Sequence, residues 1–106
     1  MAKFLIQASY TLEGTKGLLK EGGTGRRTAV EQAIKGMGGK LEGFYFAFGQ
    51  TDVFVIADLP DSVSAAAVSL TVNSAGGAKV TTTPLMMPEE MDAASKKSVQ
   101  YRAPGR

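Results

Sequence analysis

The chain contains no cysteine, no histidine and no tryptophan. Without cysteine there can be no disulfide, no thiolate nucleophile and no zinc–thiolate site, which fits a reducing cytoplasm. Without histidine the commonest metal ligand and the commonest general base are missing. The two absences together exclude a haem held by either residue, and no metal or other cofactor is expected. Apolar runs long enough to cross a bilayer are also lacking, so no membrane association is expected. Met1–Tyr10 carries a single Lys and no cleavage-like run of small residues, so it does not read as a signal peptide. Neither sign of charge dominates. The net charge of +2 is too small for a nucleic-acid footprint. What remains is one domain: 106 residues suffice for a single core but not for two.

The richest stretch is Phe44–Asp61, FYFAFGQTDVFVIADLPD. Two runs of aromatic and β-branched residues are separated by Gly49-Gln50-Thr51-Asp52 and stopped by Leu59-Pro60-Asp61, which reads as a β-hairpin. With Gln50 and Thr51 as the loop, Phe48 faces Val53, Phe46 faces Val55 and Phe44 faces Ala57. Tyr45 then lies with Ile56, and Ala47 with Phe54, on the other face. Both faces are apolar, so each requires a cover.

The remaining elements follow from period and punctuation. Phe4–Tyr10 reads as a central strand and Lys16–Glu21 as a short helix capped by Thr15 and broken at Gly22-Gly23. Gly25–Met37 reads as a second helical segment capped by Thr24, with Ala29, Val30, Ala33, Ile34 and Met37 on one face. Asp61 or Ser62 caps a helix running to about Ser74, and Ala78–Thr83 alternates as a strand with Val80 turned opposite to Lys79, Thr81 and Thr83. Pro88-Glu89-Glu90 opens a last helix whose acids and following Lys96-Lys97 match the helix dipole. The order β-α-β-β-α-β plus a C-terminal helix predicts a ferredoxin-like α+β fold, a four-stranded antiparallel sheet with its main helices on one face. Residues 1–97 form the domain, and 98–106 form a tail that is mobile or draped on a neighbour. Helices on one face leave the apolar second face bare, so a homodimer packed sheet to sheet, or a higher homo-oligomer, is expected.

FLIQASYT, KEGGTGRRTAVEQ, GGKLEGFYFAFGQTD and VIADLPD, in this order, resemble the GYD domain family over roughly residues 2 to 95. The Gly-Tyr-Asp motif that names the family is matched by Gly49-Gln50-Thr51-Asp52, with Thr51 in place of the Tyr. The resemblance implies a small bacterial protein of the dimeric α/β-barrel type. That group includes small-ligand sensors and cofactor-free oxygenases or isomerases, and the family itself brings no established activity.

Three sets of residues are candidate sites. Gln7, Ser9, Tyr45, Thr81 and Thr83 can share the helix-free sheet face and line an intersubunit cleft, or merely soften an interface. Asp52 can offer a carboxylate at the mouth of that cleft, or serve turn chemistry in which Gly49 takes a positive φ and Asp52 bonds an amide. Thr24, Gly25, Arg26 and Arg27 resemble an anion cradle at a helix start, or a capped helix with solvated arginines. Glu42 and Asp58 do not read as a catalytic pair. Met86, Met87 and Met91 read as packing rather than copper ligands, and the basic tail reads as solvated. The first functional reading is a non-catalytic homo-oligomeric module with a small-ligand cleft or a pure assembly role. The second is a cofactor-independent oxygenase or isomerase using Tyr45, Asp52 or Arg26. The third is anion or nucleotide sensing at Gly22–Arg27.

Overall fold

A computed structural model describes all residues, Met1–Arg106. Its elements are β1 (Ala2–Tyr10), α1 (Leu12–Glu21), α2 (Gly23–Gly36), β2 (Lys40–Phe46), β3 (Val53–Leu59), α3 (Ser62–Ala75), β4 (Ala78–Leu85) and α4 (Pro88–Ser95). The strands form one antiparallel sheet in the order β2-β3-β1-β4. This is the expected ferredoxin-like arrangement, with β1 and β3 central.

Alternation along the strands decides what is buried. Phe4, Ile6 and Ala8 of β1, Val53, Val55, Ala57 and Leu59 of β3, and Val80 of β4 point to one face. Ile34 of α2 and Ala65 of α3 join them in a single core cluster, which puts these two helices on that face. Asp61 caps α3, its carboxylate accepting the Ser64 N–H at 2.8 Å. This bond holds the Asp61 carboxyl below its ordinary 3.8. A lowered folded-state value means stabilisation that is full above the unfolded value and lost as pH falls through the folded one. The melting-temperature deficit of Asp61→Ala should therefore be largest near neutrality and close as pH falls below about 4. Paired thermal melts across pH would reveal an unchanged deficit if the carboxylate had no part in the cap.

Several boundaries differ from the sequence expectation. The cap of α1 is Thr11, whose side chain accepts the Gly14 N–H at 3.2 Å, so the helix starts before Thr15. The cap of α2 is Gly22 at φ 87°, and Thr24 lies inside the helix. Only a residue at ease with positive φ can both end α1 and start α2 there. The adjacent Gly23 also admits the Phe46 ring, which would lie 2.9 Å from a β-carbon at that position. Strand β4 continues through Pro84 and Leu85, tolerable because β4 is an edge strand.

The hairpin pairs Phe46 with Val53 and Phe44 with Val55, two residues from the expected register. A shift of two keeps every side chain on its face, whereas a shift of one would have exchanged them. The loop is longer than two residues because Asp52 is held by β1. Its N–H donates to the Ala8 carbonyl and its carbonyl accepts the Ala47 N–H, both at 2.8 Å. Phe48 is thereby left at the tip, fully exposed. A bulge between Leu41 and Gly43 inserts Glu42, so Leu41 and Phe44 both reach the core side although three residues apart.

Candidate functional site

The sheet face under the helices carries short side chains at its centre, Ala8, Val53, Val55 and Ala57, and the helices over it are rich in Ala, Ser, Gly and Thr. Such residues cannot fill the space between two layers. Only 10 of 106 residues are buried, and a chamber of about 380 Å³ lies between α1, α2, α3 and the sheet. Its walls are mostly apolar and include Ile6, Val30, Ile34, Phe44, Val55 and Val72. As a sealed dry void it would cost about 9 kcal/mol at roughly 24 cal/mol per Å³, comparable with the whole stability of a small domain. It is instead open to solvent at its rim, and its size falls in the range of small-molecule sites.

Two charged residues line this chamber, Glu21 and Arg26. The α1–α2 break brings them together: Glu21 ends α1, Arg26 lies in the first turns of α2, and the guanidinium stands 3.4 Å from the carboxylate. Both side chains are about two-fifths exposed, so the pair stands where the chamber meets solvent. Gly25 leaves the room that Glu21 occupies, whose Cγ would be 3.0 Å from a β-carbon there. Tyr10, the last residue of β1, also faces the chamber. Burial pushes its phenol above the ordinary 10.0, with Arg26 opposing and Asp52 and Glu21 reinforcing the rise. The phenol is thus neutral at physiological pH and available as a hydrogen-bond donor.

Asp52 acts on this site through the backbone. Its carboxylate accepts the Tyr10 N–H at 2.8 Å and extends the β1–β3 ladder to the residue whose ring enters the chamber. Gly49 has φ 151°, outside ordinary side-chain territory, so the turn chemistry read from the sequence is present. The remaining cradle residues do not converge. Arg26 turns to the chamber. Arg27 turns to a shallow, polar groove of about 430 Å³ beside β2, shared with Glu31, Glu42 and Tyr45. Thr24 and Gly25 line neither space, and the Thr24 carbonyl accepts the Thr28 hydroxyl within the helix. Successive helical residues project about 100° apart, so two adjacent arginines do not clamp one anion from a single helix.

On the helix-free face, Tyr45, Phe54, Gln7 and Thr81 form one row across all four strands. Gly43, Ile56, Leu5 and Thr83 form the next row. Ser9 lies beyond, opposite Lys79, its hydroxyl donating to the Gln50 carbonyl at 2.5 Å. The face therefore has an apolar centre of Leu5, Phe54 and Ile56 with Tyr45 and the threonines at its sides. One end is charged: Lys3 pairs with Glu42 and, at 3.4 Å, with Asp58. The hydrogen bond to Glu42 is the main cause that raises the Lys3 ammonium above its ordinary 10.5. Glu42 and Asp58 thus share a face, which the bulge at Glu42 decides and alternation alone does not.

Sequence reasoning missed the chamber, Tyr10 and Lys3. Tyr10 had a signal, the final even-numbered position of β1 in phase with Phe4, Ile6 and Ala8. No helix of the chain is long and apolar enough to cross a membrane. A family model described as GYD domain matches residues 4–95, and the chain belongs to that family. No curated protein and no solved structure matches it.

Proposed function

We propose that this member of the GYD domain family is a self-associating, non-catalytic module that holds a small apolar ligand. The observation that carries the reading is the open chamber of about 380 Å³, mostly apolar on its walls, with polar groups from Tyr10, Glu21, Arg26 and Thr71. A set of one neutral phenol and one ion pair suits recognition better than proton transfer at neutral pH. The chamber replaces the intersubunit cleft as the ligand space. The cleft residues Gln7, Ser9, Tyr45, Thr81 and Thr83 belong to the association surface.

Self-association rests on the helix-free face. Leu5, Phe54 and Ile56 are half-exposed there and form a contiguous apolar centre. Burying about 300 Å² of such surface contributes on the order of 7 kcal/mol before the costs of association. The C-terminal segment supports the same reading. Every residue of α4 is exposed, as are Met86, Met87, Val99 and Tyr101, so this arm lacks a packing partner in its own subunit. In the dimer it lies over the neighbouring copy.

Native mass spectrometry of freshly purified protein tests both halves together. The expected result is a dimer or larger ring carrying a small-molecule adduct that is lost on denaturation. A bare monomer at micromolar concentration would overturn the association. Oligomers that carry no adduct and take up none from a hydrophobic small-molecule library would overturn the binding role.

A further inference from the structure

The chemistry of the chamber rim narrows what the chamber takes. Resting on the reading of the chamber as a ligand site, we infer that it receives an apolar monoanion, an aromatic or medium-chain aliphatic carboxylate, whose head group displaces Glu21 from Arg26.

Five observations carry the inference. Arg26 is the only cation that lines the chamber, and the rest of the lining is apolar apart from small polar groups and Glu21. Both partners of the ion pair line the chamber, so the guanidinium is within reach of a ligand held inside it. At 3.4 Å and with both side chains about two-fifths exposed, that pair is a weak surface contact rather than a fixed strut. A ligand carboxylate approaching from the apolar side presents the same chemistry to the guanidinium, which can donate two parallel N–H bonds to it in a planar, bidentate manner. Glu21 itself is the last residue of α1 before the Gly22 break, so it can swing away without unwinding a helix. The neutral Tyr10 hydroxyl adds a donor on the chamber side. An alkylammonium ligand would instead have to displace Arg26, which is set within α2, from Glu21 at the end of α1.

The geometry also separates this site from a general anion site. Arg27 points to the β2 groove, so one cation serves the chamber and a single negative charge satisfies it. The apolar walls supply the rest of the binding free energy through burial of the ligand tail, which an inorganic anion does not possess.

The test uses the full-length protein and four probes: sodium octanoate, 1-octanol, octylamine and sodium acetate. Thermal melts and calorimetric titrations are run on wild type, Arg26→Gln, Glu21→Gln and Arg27→Gln. Octanoate should raise the melting temperature of wild type with concentration, octanol should do so more weakly, and acetate and octylamine should not. Arg26→Gln should weaken octanoate about tenfold or more, the usual size of a charge-assisted hydrogen bond, and leave octanol unchanged. Glu21→Gln should tighten octanoate, because the competitor for the guanidinium is gone. A purely structural ion pair would make both variants lose stability and neither gain affinity. Arg27→Gln should behave as wild type. Octanol binding as tightly as octanoate, or octanoate binding untouched by Arg26→Gln, would overturn the head-group assignment while leaving the chamber a ligand site. Octylamine matching octanoate would overturn it likewise. No response to any eight-carbon probe would remove the chamber reading itself.

Discussion

Replacing Gly14 by alanine should lower the melting temperature by roughly 15 °C or more, whereas Gly17→Ala, one turn along the same helix, should raise it by a few degrees. A β-carbon on Gly14 would stand 1.7 Å from the Gly77 carbonyl oxygen and 2.7 Å from its carbon. Both obstacles are backbone, and that backbone is fastened. The Thr11 N–H donates to the same carbonyl at 3.1 Å, while the Thr11 hydroxyl donates to the Gly76 and Gly77 carbonyls at 2.8 and 3.2 Å. Relief requires α1 to lift from the α3–β4 turn and to take one wall of the chamber with it. Overpacking of this kind costs about 1–3 kcal/mol, and more where the neighbour cannot yield. At Gly17 nothing lies within 4 Å of the added carbon, so only the gain of about 0.5–1 kcal/mol in helix propensity remains. Circular-dichroism melts of the two variants side by side decide the matter. A Gly14→Ala protein melting within a few degrees of wild type would mean that α1 does not rest on that turn.

On the proposed self-association through the helix-free sheet face, Phe54→Glu should leave the chain monomeric with its fold intact. Phe54 lies at the centre of the helix-free face, between Gln7 and Tyr45 in the row that crosses the sheet. Phe54 is already partly buried in the single chain, so completing its burial contributes about 1–1.5 kcal/mol. In a twofold interface each substitution counts twice, so about 2–3 kcal/mol is lost, or roughly two decades in dissociation constant. The pair of facing carboxylates adds to that. Leu19→Glu is the matched control, since Leu19 is 82% exposed on the outside of α1, away from the sheet. Light scattering coupled to size exclusion should show Phe54→Glu as a monomer and Leu19→Glu at wild-type mass. The reverse pattern would place the interface on the helices and remove the argument from the bare sheet face.

Elements held by short-range interactions are legible in the sequence, and those held by long-range ones are not. The Asp61 cap and the α3 helix that follows depend on contacts within a few residues, and period and punctuation located both. The same local reasoning chose Thr15 and Thr24 as caps where Thr11 and Gly22 serve. Several small or polar residues in a row can start a helix, and docking of Thr11 onto the Gly76-Gly77 turn selects among them. In the hairpin, tight-turn chemistry at Gln50-Thr51 competed with pairing of Asp52 to β1, and the long-range partner prevailed. The candidate residues divided in the same way. Gln7, Ser9, Tyr45, Thr81 and Thr83 lie on one face because alternation is a local rule, but Arg26 and Arg27 lead to different spaces.

Amino-acid order alone determined the succession of strands and helices, the greasy character of both sheet surfaces and the family, because each is written in short-range pattern or in ordered motifs. Three-dimensional packing decided where the helices come to rest over the sheet and hence that a chamber opens between them. It also decided that Tyr10, Glu21 and Arg26, from three different elements, gather at its rim. A cavity is the difference between the space that elements enclose and the volume that their side chains fill. No residue encodes that difference by itself, so it becomes visible only once the layers are assembled.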